Sequence, residues 1–341
     1  MGKFIVRRLT TGILVLFFVI TITFVLSRVV PSDPAAKWVG AHATHEQKAA
    51  AIVELGLDKP IFEQYIMYLK ALFQGDLGTS ITSHRPVLDE MLECIPNTLE
   101  LVLLSTMVAF VLGLPIGVYS AVHENTFFDH AGRFISISVI SMPSFWIALM
   151  LQILFATKLG WLPLTGQMST ITSITSPIQS ISGLPMLDCL LTGNWAALKD
   201  VALHSVLPIL TLMAYDLGLT ARQTRSILLE VLNEDYIRAS RAYGIKENLV
   251  IWRYAVKNVL GTVTTVLALA IGHALVATFV MESVFSWPGV GSYISNAVMN
   301  LDYPAIIGVT LFSAMAYVLL NFFADLVIAL DPRTRITEGG N

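Results

Sequence analysis

Six apolar runs, at about 9–30, 98–120, 134–157, 204–222, 259–281 and 305–330, decide what this chain of 341 residues can become. Each approaches the roughly 20 helical residues that cross a hydrocarbon core about 30 Å thick. As helices they satisfy their own backbone groups, which lipid cannot do for them. The surrounding composition agrees: 55% of the residues are hydrophobic and 13% are charged, about half the charge of a typical soluble domain, near 25%. That excludes a water-soluble enzyme. A net charge of −3 with no Lys/Arg run excludes a nucleic-acid partner. Two cysteines, Cys94 and Cys189, are too few for a disulfide scaffold or a Cys-rich metal site. They could pair only if the fold brought them together.

The first run follows Lys3, Arg7 and Arg8, but it is longer than a signal-peptide core and no small-x-small cleavage pattern follows, so it reads as a retained span. Basic residues set the direction. With a cytoplasmic amino terminus, the inner segments carry Lys3, Arg7, Arg8, Arg133, Arg222, Arg225, Arg238, Arg241, Lys246, Arg253, Lys257, Arg333 and Arg335, whereas the short outer loops carry only Lys158 and Lys199. The positive-inside rule therefore places both termini in the cytoplasm. A seventh span within 174–191 is interrupted by Pro177, Gly183, Pro185 and Asp188, and reads instead as an outer loop with a short helix.

The expected organisation is a cytoplasmic terminus and first span at 1–30, an exported subdomain at 31–97, a five-helix core at 98–330 with an inner loop at 223–258, and a cytoplasmic tail at 331–341. Helical stretches at 45–55 and 61–73, separated by turn residues, are expected within the exported part. His42, His45 and His84 in that part lack the Cys or carboxylate spacing of a metal site. No internal repeat of the kind found in inverted-repeat secondary transporters is evident.

The inner loop is the most informative polar stretch, reading NEDYIRASRAYGIKENLVIWRYAVKN over 233–258. Asn233 is suited to cap a helix; Glu234 and Asp235 suit its positive end, and Arg238 and Arg241 its negative end. Gly244 supplies a bent or left-handed stop, and a second helix restarts at Lys246 and Glu247. Tyr236, Ala239 and Tyr243 share one side with Ser240, flanked by Arg238 and Arg241. Such a face fits a groove on another protein, although a plain connecting helix would have the same periodicity. It has too few large apolar residues for a lipid-surface helix.

Asp216 is the notable ionisable group within a span, where a lone carboxylate costs about 2.5–3.5 kcal/mol and needs water or a partner. At 1.5 Å per residue it lies about 9 Å from Arg222, while His273 lies about 21 Å into its own span, so the two are not expected to meet. Both are candidates for a translocation route, with a buried hydrogen-bonded role as the competing reading. Gly113 and Gly117 allow close helix approach. Pro115, Pro143 and Pro208 can kink their spans. Trp287, Pro288 and Gly289 read as an outer turn available to a partner chain. No G-x-x-x-x-G-K-[ST] phosphate loop occurs, so ATP chemistry does not belong to this chain.

The stretch at 235–244, formed by Asp235, Tyr236, Ile237, Arg238, Ala239, Ser240, Arg241, Ala242, Tyr243 and Gly244, resembles the EAA-type loop of ABC importer permeases. Arg238, Ala239 and Ser240 stand where that pattern has Glu-Ala-Ala, and Gly244 falls on its glycine. Further motifs follow in family order: VPSDP at 30–34, LGLDKPIFEQY at 55–65, GDLGTS at 75–80, SMPSFWIAL at 141–149, GWLPLTG at 160–166, VFSWPGVG at 284–291, LDYPAIIG at 301–308 and DPR at 331–333. Together they resemble the B-type permease subunit of the dipeptide, oligopeptide and nickel ABC importers. The resemblance implies an all-α, polytopic type I importer fold with six transmembrane helices in a bacterial or archaeal inner membrane. It implies a second homologous permease, two cytoplasmic ATPases that hold ATP and Mg, an extracytoplasmic solute-binding protein and surrounding lipid. This chain would bind no cofactor, and 235–244 would couple to an ATPase. Peptides are the implied cargo, with metal chelates or oligosaccharides as alternatives. An ion-driven transporter and an intramembrane hydrolase are the rivals from other classes, but no Gly-x-Ser-x-Gly nucleophile accompanies His273.

Overall fold

The computed structural model describes residues 2–29, 34–40, 43–54 and 56–330; His42 and the tail at 331–341 lie outside them. Within these, the chain is helical with no strand, and Thr79 and Pro86 form an isolated antiparallel bridge. In order the helices are α1 (Gly2–Val29), α2 (Pro34–Val39), α3 (His45–Glu54), α4 (Ile61–Phe73), α5 (Val87–Val122), α6 (Phe127–Ser141), α7 (Ser144–Leu151), α8 (Thr170–Thr175), α9 (Pro185–Thr192), α10 (Trp195–Leu232), α11 (Asp235–Ala242), α12 (Glu247–Leu249), α13 (Val256–Phe285), α14 (Val290–Asn300) and α15 (Tyr303–Leu330). Wider π-helical turns extend α7 through Gln152–Lys158 and join α12 to α13 through Val250–Ala255.

Among the described residues, four helices are long and apolar enough to cross a membrane, and the count reaches six when each of two bent helix pairs is taken as one span. The bend between α6 and α7 is 105° and falls at Pro143. Met142 before it is extended, at φ −84° and ψ 136°, because the proline ring crowds a helical conformation at the preceding residue. Within 174–191 only the short α8 and α9 form, so no seventh span exists there.

The chain packs as two compact units, 1–96 with 289–318, and 97–288 with 319–341. In the first, Asp302 is buried and organises two segments at once. Its carboxylate accepts from the Ser80 hydroxyl at 2.6 Å and the Thr82 amide at 3.0 Å, and it also accepts from the Ala305 amide, capping α15. Thr21 of α1 meets the Tyr65 hydroxyl of α4 at 2.8 Å, with Phe24 stacked on Tyr68. Tyr293 donates to Glu90 at 2.8 Å.

In the second unit, one apolar cluster gathers Leu101, Ala148, Leu207, Leu212, Met281, Phe285 and Trp287. Another gathers Val118, Ala121, Leu228, Val250, Ile251 and Val256 around Ile237. Between the two, α5 and α10 approach at glycine: a Cβ on Gly113 would lie 3.0 Å from Thr220 Cβ and 3.1 Å from the Leu217 carbonyl oxygen. Asp188 caps the turn before α9, accepting from the Ile181, Ser182 and Gly183 amides and the Ser182 hydroxyl. Burial opposes its ionisation, yet these hydrogen bonds prevail and hold its carboxyl below the ordinary range. Cys189 is buried and Cys94 is half-buried.

Candidate functional site

The loop at 233–258 forms a helix, α11, fixed at three points. Ile237, in the middle of α11, is completely buried in the cluster that α5, α10 and α13 share. The Tyr236 hydroxyl accepts from the Asn258 side-chain amide at 2.6 Å. Arg241 forks onto Glu247, with Nη2 to Oε1 at 2.7 Å and Nε to Oε2 at 3.2 Å, tying α11 to α12. This hydrogen bond holds the Glu247 carboxyl below, and the Arg241 guanidinium above, its usual range. Gly244 ends the helix at φ +74°, a left-handed conformation that side chains with a Cβ resist.

What remains outward is a basic and aromatic face. Tyr243 is 86% exposed, and Tyr236, Arg238, Ala239, Arg241 and Ala242 are also exposed. Asp235 and Arg238 lie 3.6 Å apart on it. Ser240 is half-buried and turns its hydroxyl back onto the Tyr236 carbonyl at 2.7 Å. One expectation is corrected: Asn233 does not start α11. Because α10 continues to Leu232, Asn233 stays in helical conformation as the last cap of α10, donating to the Leu229 carbonyl, and Glu234 takes the extended position before α11.

A second polar centre binds α5, α6 and α10. Asp129 is fully buried and accepts from Arg225 Nε at 2.6 Å and Nη2 at 2.8 Å, from the Ser120 hydroxyl at 2.5 Å and from the Asn125 amide at 3.0 Å. Sequence reading missed it. Arg225 registered there as one more inner basic residue, and the only local signal was an Asp in the first turn of an apolar helix.

Asp216 and His273 do meet, against expectation: Asp216 Oδ1 lies 3.7 Å from His273 Nδ1. The error came from taking Arg222 as the end of a helix that runs on to Leu232. From Asp216 to Leu232 is about 24 Å of helix, and from Val256 to His273 about 26 Å, so the antiparallel helices bring them level. Asp216 is fully buried, and His273 is stacked at 4.1 Å on Tyr215.

Of the outer-turn candidates only Pro288 is exposed. Trp287 is 1% exposed, packs in the apolar cluster with Phe285 and Met281, and donates its indole N–H to the Asn97 carbonyl at 3.3 Å, so its ring is core rather than a contact surface. Gly289 is buried as well. Among the described residues no group of His, Cys, Asp and Glu is arranged to hold a metal.

The sequence over 113–336 matches the family model of the binding-protein-dependent transport system inner membrane component, and 1–102 matches the model of the amino-terminal part of such membrane components. The chain belongs to this family. The permease is 40% identical over 329 residues to the probable D,D-dipeptide transport system permease protein DdpB of Escherichia coli (strain K12), covering 96% of this chain and 95% of that one. It is 37% identical over 336 residues to the dipeptide transport system permease protein DppB of Alkalihalophilus pseudofirmus, covering 98% and 100%. It is 32% identical over 335 residues to the oligopeptide transport system permease protein AppB of Bacillus subtilis (strain 168), covering 98% and 99%. It is therefore a multi-pass ABC-transporter permease of the all-α, type I importer fold that the motifs implied.

Proposed function

We propose that this permease imports short peptides as one of two homologous membrane subunits, receiving cargo from an extracytoplasmic binding protein. ATP and Mg are bound and ATP is hydrolysed on two cytoplasmic ATPase subunits, and this chain holds no cofactor. It resides in the bacterial or archaeal inner membrane with both termini cytoplasmic and 31–97 exported, as the placement of Lys and Arg supports. The end-to-end similarity to relatives named as dipeptide and oligopeptide permeases carries the reading.

The form of α11 supports a coupling role. Its exposed Tyr236, Arg238, Arg241 and Tyr243 offer a docking face, while Ile237 bolts the helix to three spans, so a push on the face moves the spans as a body. Pro288 is the part of the outer turn left to meet the binding protein or the second permease.

The test is reconstitution of the full complex in proteoliposomes with labelled dipeptide. Uptake should require ATP, both ATPases and the binding protein. Uptake that persists without the ATPases, or that an uncoupler abolishes while ATP is present, would overturn the proposal. Uptake confined to a nickel chelate or an oligosaccharide would reassign the cargo within the same architecture.

A further inference from the structure

Two of the three sides of α4 are occupied within the fold. Tyr65 and Tyr68 pack on α1: the Tyr65 hydroxyl meets Thr21 at 2.8 Å, and the Phe24 ring lies 5.0 Å from that of Tyr65 and 5.5 Å from that of Tyr68. On the second side, the turn before the helix closes over Gln64 and Met67. The Gln64 side-chain amide donates to the Lys59 carbonyl at 2.8 Å, and Lys59 Nζ lies 3.3 Å from Met67 Sδ. The third side carries Phe62, Ile66, Leu69 and Phe73, which recur at the spacing of a single helical stripe. Phe62 is 70% exposed and Phe73 90%; Ile66 is exposed and Leu69 half-buried. Scattered apolar side chains need no partner on a protein surface, whereas a contiguous stripe of large ones marks an interaction surface.

The attachment to α1 decides what covers the stripe. The apolar window of α1 runs over Val6–Leu26, and most of it is exposed, as in a helix bordered by lipid. Thr21 and Phe24 lie inside the end of that window, by about 7.5 Å and about 3 Å at 1.5 Å per residue. This pins α4 at the depth of an interfacial helix, whose apolar face sinks about 5–10 Å into the boundary between headgroups and acyl chains. A water-soluble partner stops at the headgroups. Composition argues against a further transmembrane helix, because helices that associate in lipid approach through Gly, Ala, Ser and Thr. The stripe has none of these, only two aromatic rings and two branched aliphatic chains. Glu63 and Lys70 are exposed beside it, and a lysine stem can run along apolar surface while its ammonium stays among headgroups.

We propose that α4 is an interfacial helix whose Phe62, Ile66, Leu69 and Phe73 insert into the leaflet at the carboxyl end of α1. The segment after the first span is then held on the lipid surface, with the Thr21–Tyr65 contact setting its depth, instead of standing free in water.

The experiment uses the complete transporter complex in nanodiscs of phosphatidylethanolamine and phosphatidylglycerol, doped with a phosphatidylcholine that carries a diazirine on its acyl chain. After illumination, peptide mass spectrometry of the unaltered permease should find lipid adducts on 61–73 as well as on the α1 window. Adducts on α1 with none on 61–73 overturn the proposal. A second measurement identifies the occupant. In a C94A/C189A background, nitroxides at F62C and F73C should collide with oxygen, which concentrates in lipid, severalfold more than with a water-soluble nickel chelate. At D58C, on the turn, the preference should reverse. Preference for the chelate at positions 62 and 73 means that the stripe faces water, and protection from both quenchers means that a protein chain covers it; either result overturns the proposal. None of these readouts depends on cargo or ATP, so such a failure leaves the importer reading standing.

Discussion

Gly117 of α5 faces the Ala221 carbonyl of α10 so closely that a Cβ on the glycine would lie 2.6 Å from that oxygen, and 2.6 Å from Thr224 Cβ. Neither neighbour is the free end of a flexible chain, so a methyl group at this position must push two helices apart.

Gly117→Ala is therefore expected to destabilise the permease by about 1–3 kcal/mol, the usual penalty of overpacking. Gly132→Ala is the control: its Cβ would find the Ser120 hydroxyl oxygen at 3.9 Å, an ordinary contact. Thermal unfolding in detergent should separate the two variants, and equal midpoints would refute the close approach.

The ion pair of Asp129 and Arg225 predicts an asymmetry. Removing one partner leaves the other in a largely buried site with only a more distant ion-pair partner, Arg133 at 3.6 Å from Asp129 or Glu124 at 4.0 Å from Arg225, so Arg225→Ala or Asp129→Ala should each cost up to about 3–5 kcal/mol. The double variant should lose clearly less than the sum of the singles, since α5, α6 and α10 then shed both charges together. Additive losses in unfolding experiments would show that the pair is not one unit.

The link between Arg241 and Glu247 carries a pH dependence of defined sign. Glu247 is held below its ordinary range in the folded loop, so the link is complete above the unfolded carboxylate value and is lost as pH falls through the depressed folded value. Between pH 6 and 8 the protection of the α11 amides, corrected for intrinsic exchange, should be flat, and it should fall only on acidification below the usual carboxylate range. Glu247→Gln should produce that loss of protection at neutral pH. A step in protection near pH 7 would assign the link to another group.

The apolar runs and the turn at Gly244 were legible because a single-residue property decides each: transfer into lipid, and tolerance of a positive φ. The break at Pro143 was legible only as a possible kink, since a proline fixes its own φ but not the 105° through which the helix pair turns. Asp129 with Arg225, and Asp216 with His273, were not legible, because a pairing between distant helices depends on where each helix ends. Leu232, ten residues beyond the charged Arg222, changes that register while leaving the apolar run unchanged. Trp287 was misread for a related reason: an outer-turn motif says where the backbone reverses, not that the ring folds back onto Met281 and Phe285.

Ile237 gives the sharpest separation of docking from force transmission. Its side chain is 0% exposed, and truncation to Ala should cost about 2–5 kcal/mol of local packing. Tyr243→Ala removes an 86% exposed ring and should leave stability within about 0.5 kcal/mol. The two variants should then fail differently in the reconstituted complex. Tyr243→Ala should weaken association with the ATPases. Ile237→Ala should retain association and ATP hydrolysis but take up less peptide per ATP, because the helix can now yield without moving α5, α10 and α13. Arg241→Glu or Gly244→Pro should reduce coupling as well, by opening the link to Glu247 or by denying the left-handed turn, while the protein still inserts into the membrane. Normal peptide uptake per ATP in Ile237→Ala would mean that force reaches the spans by another route.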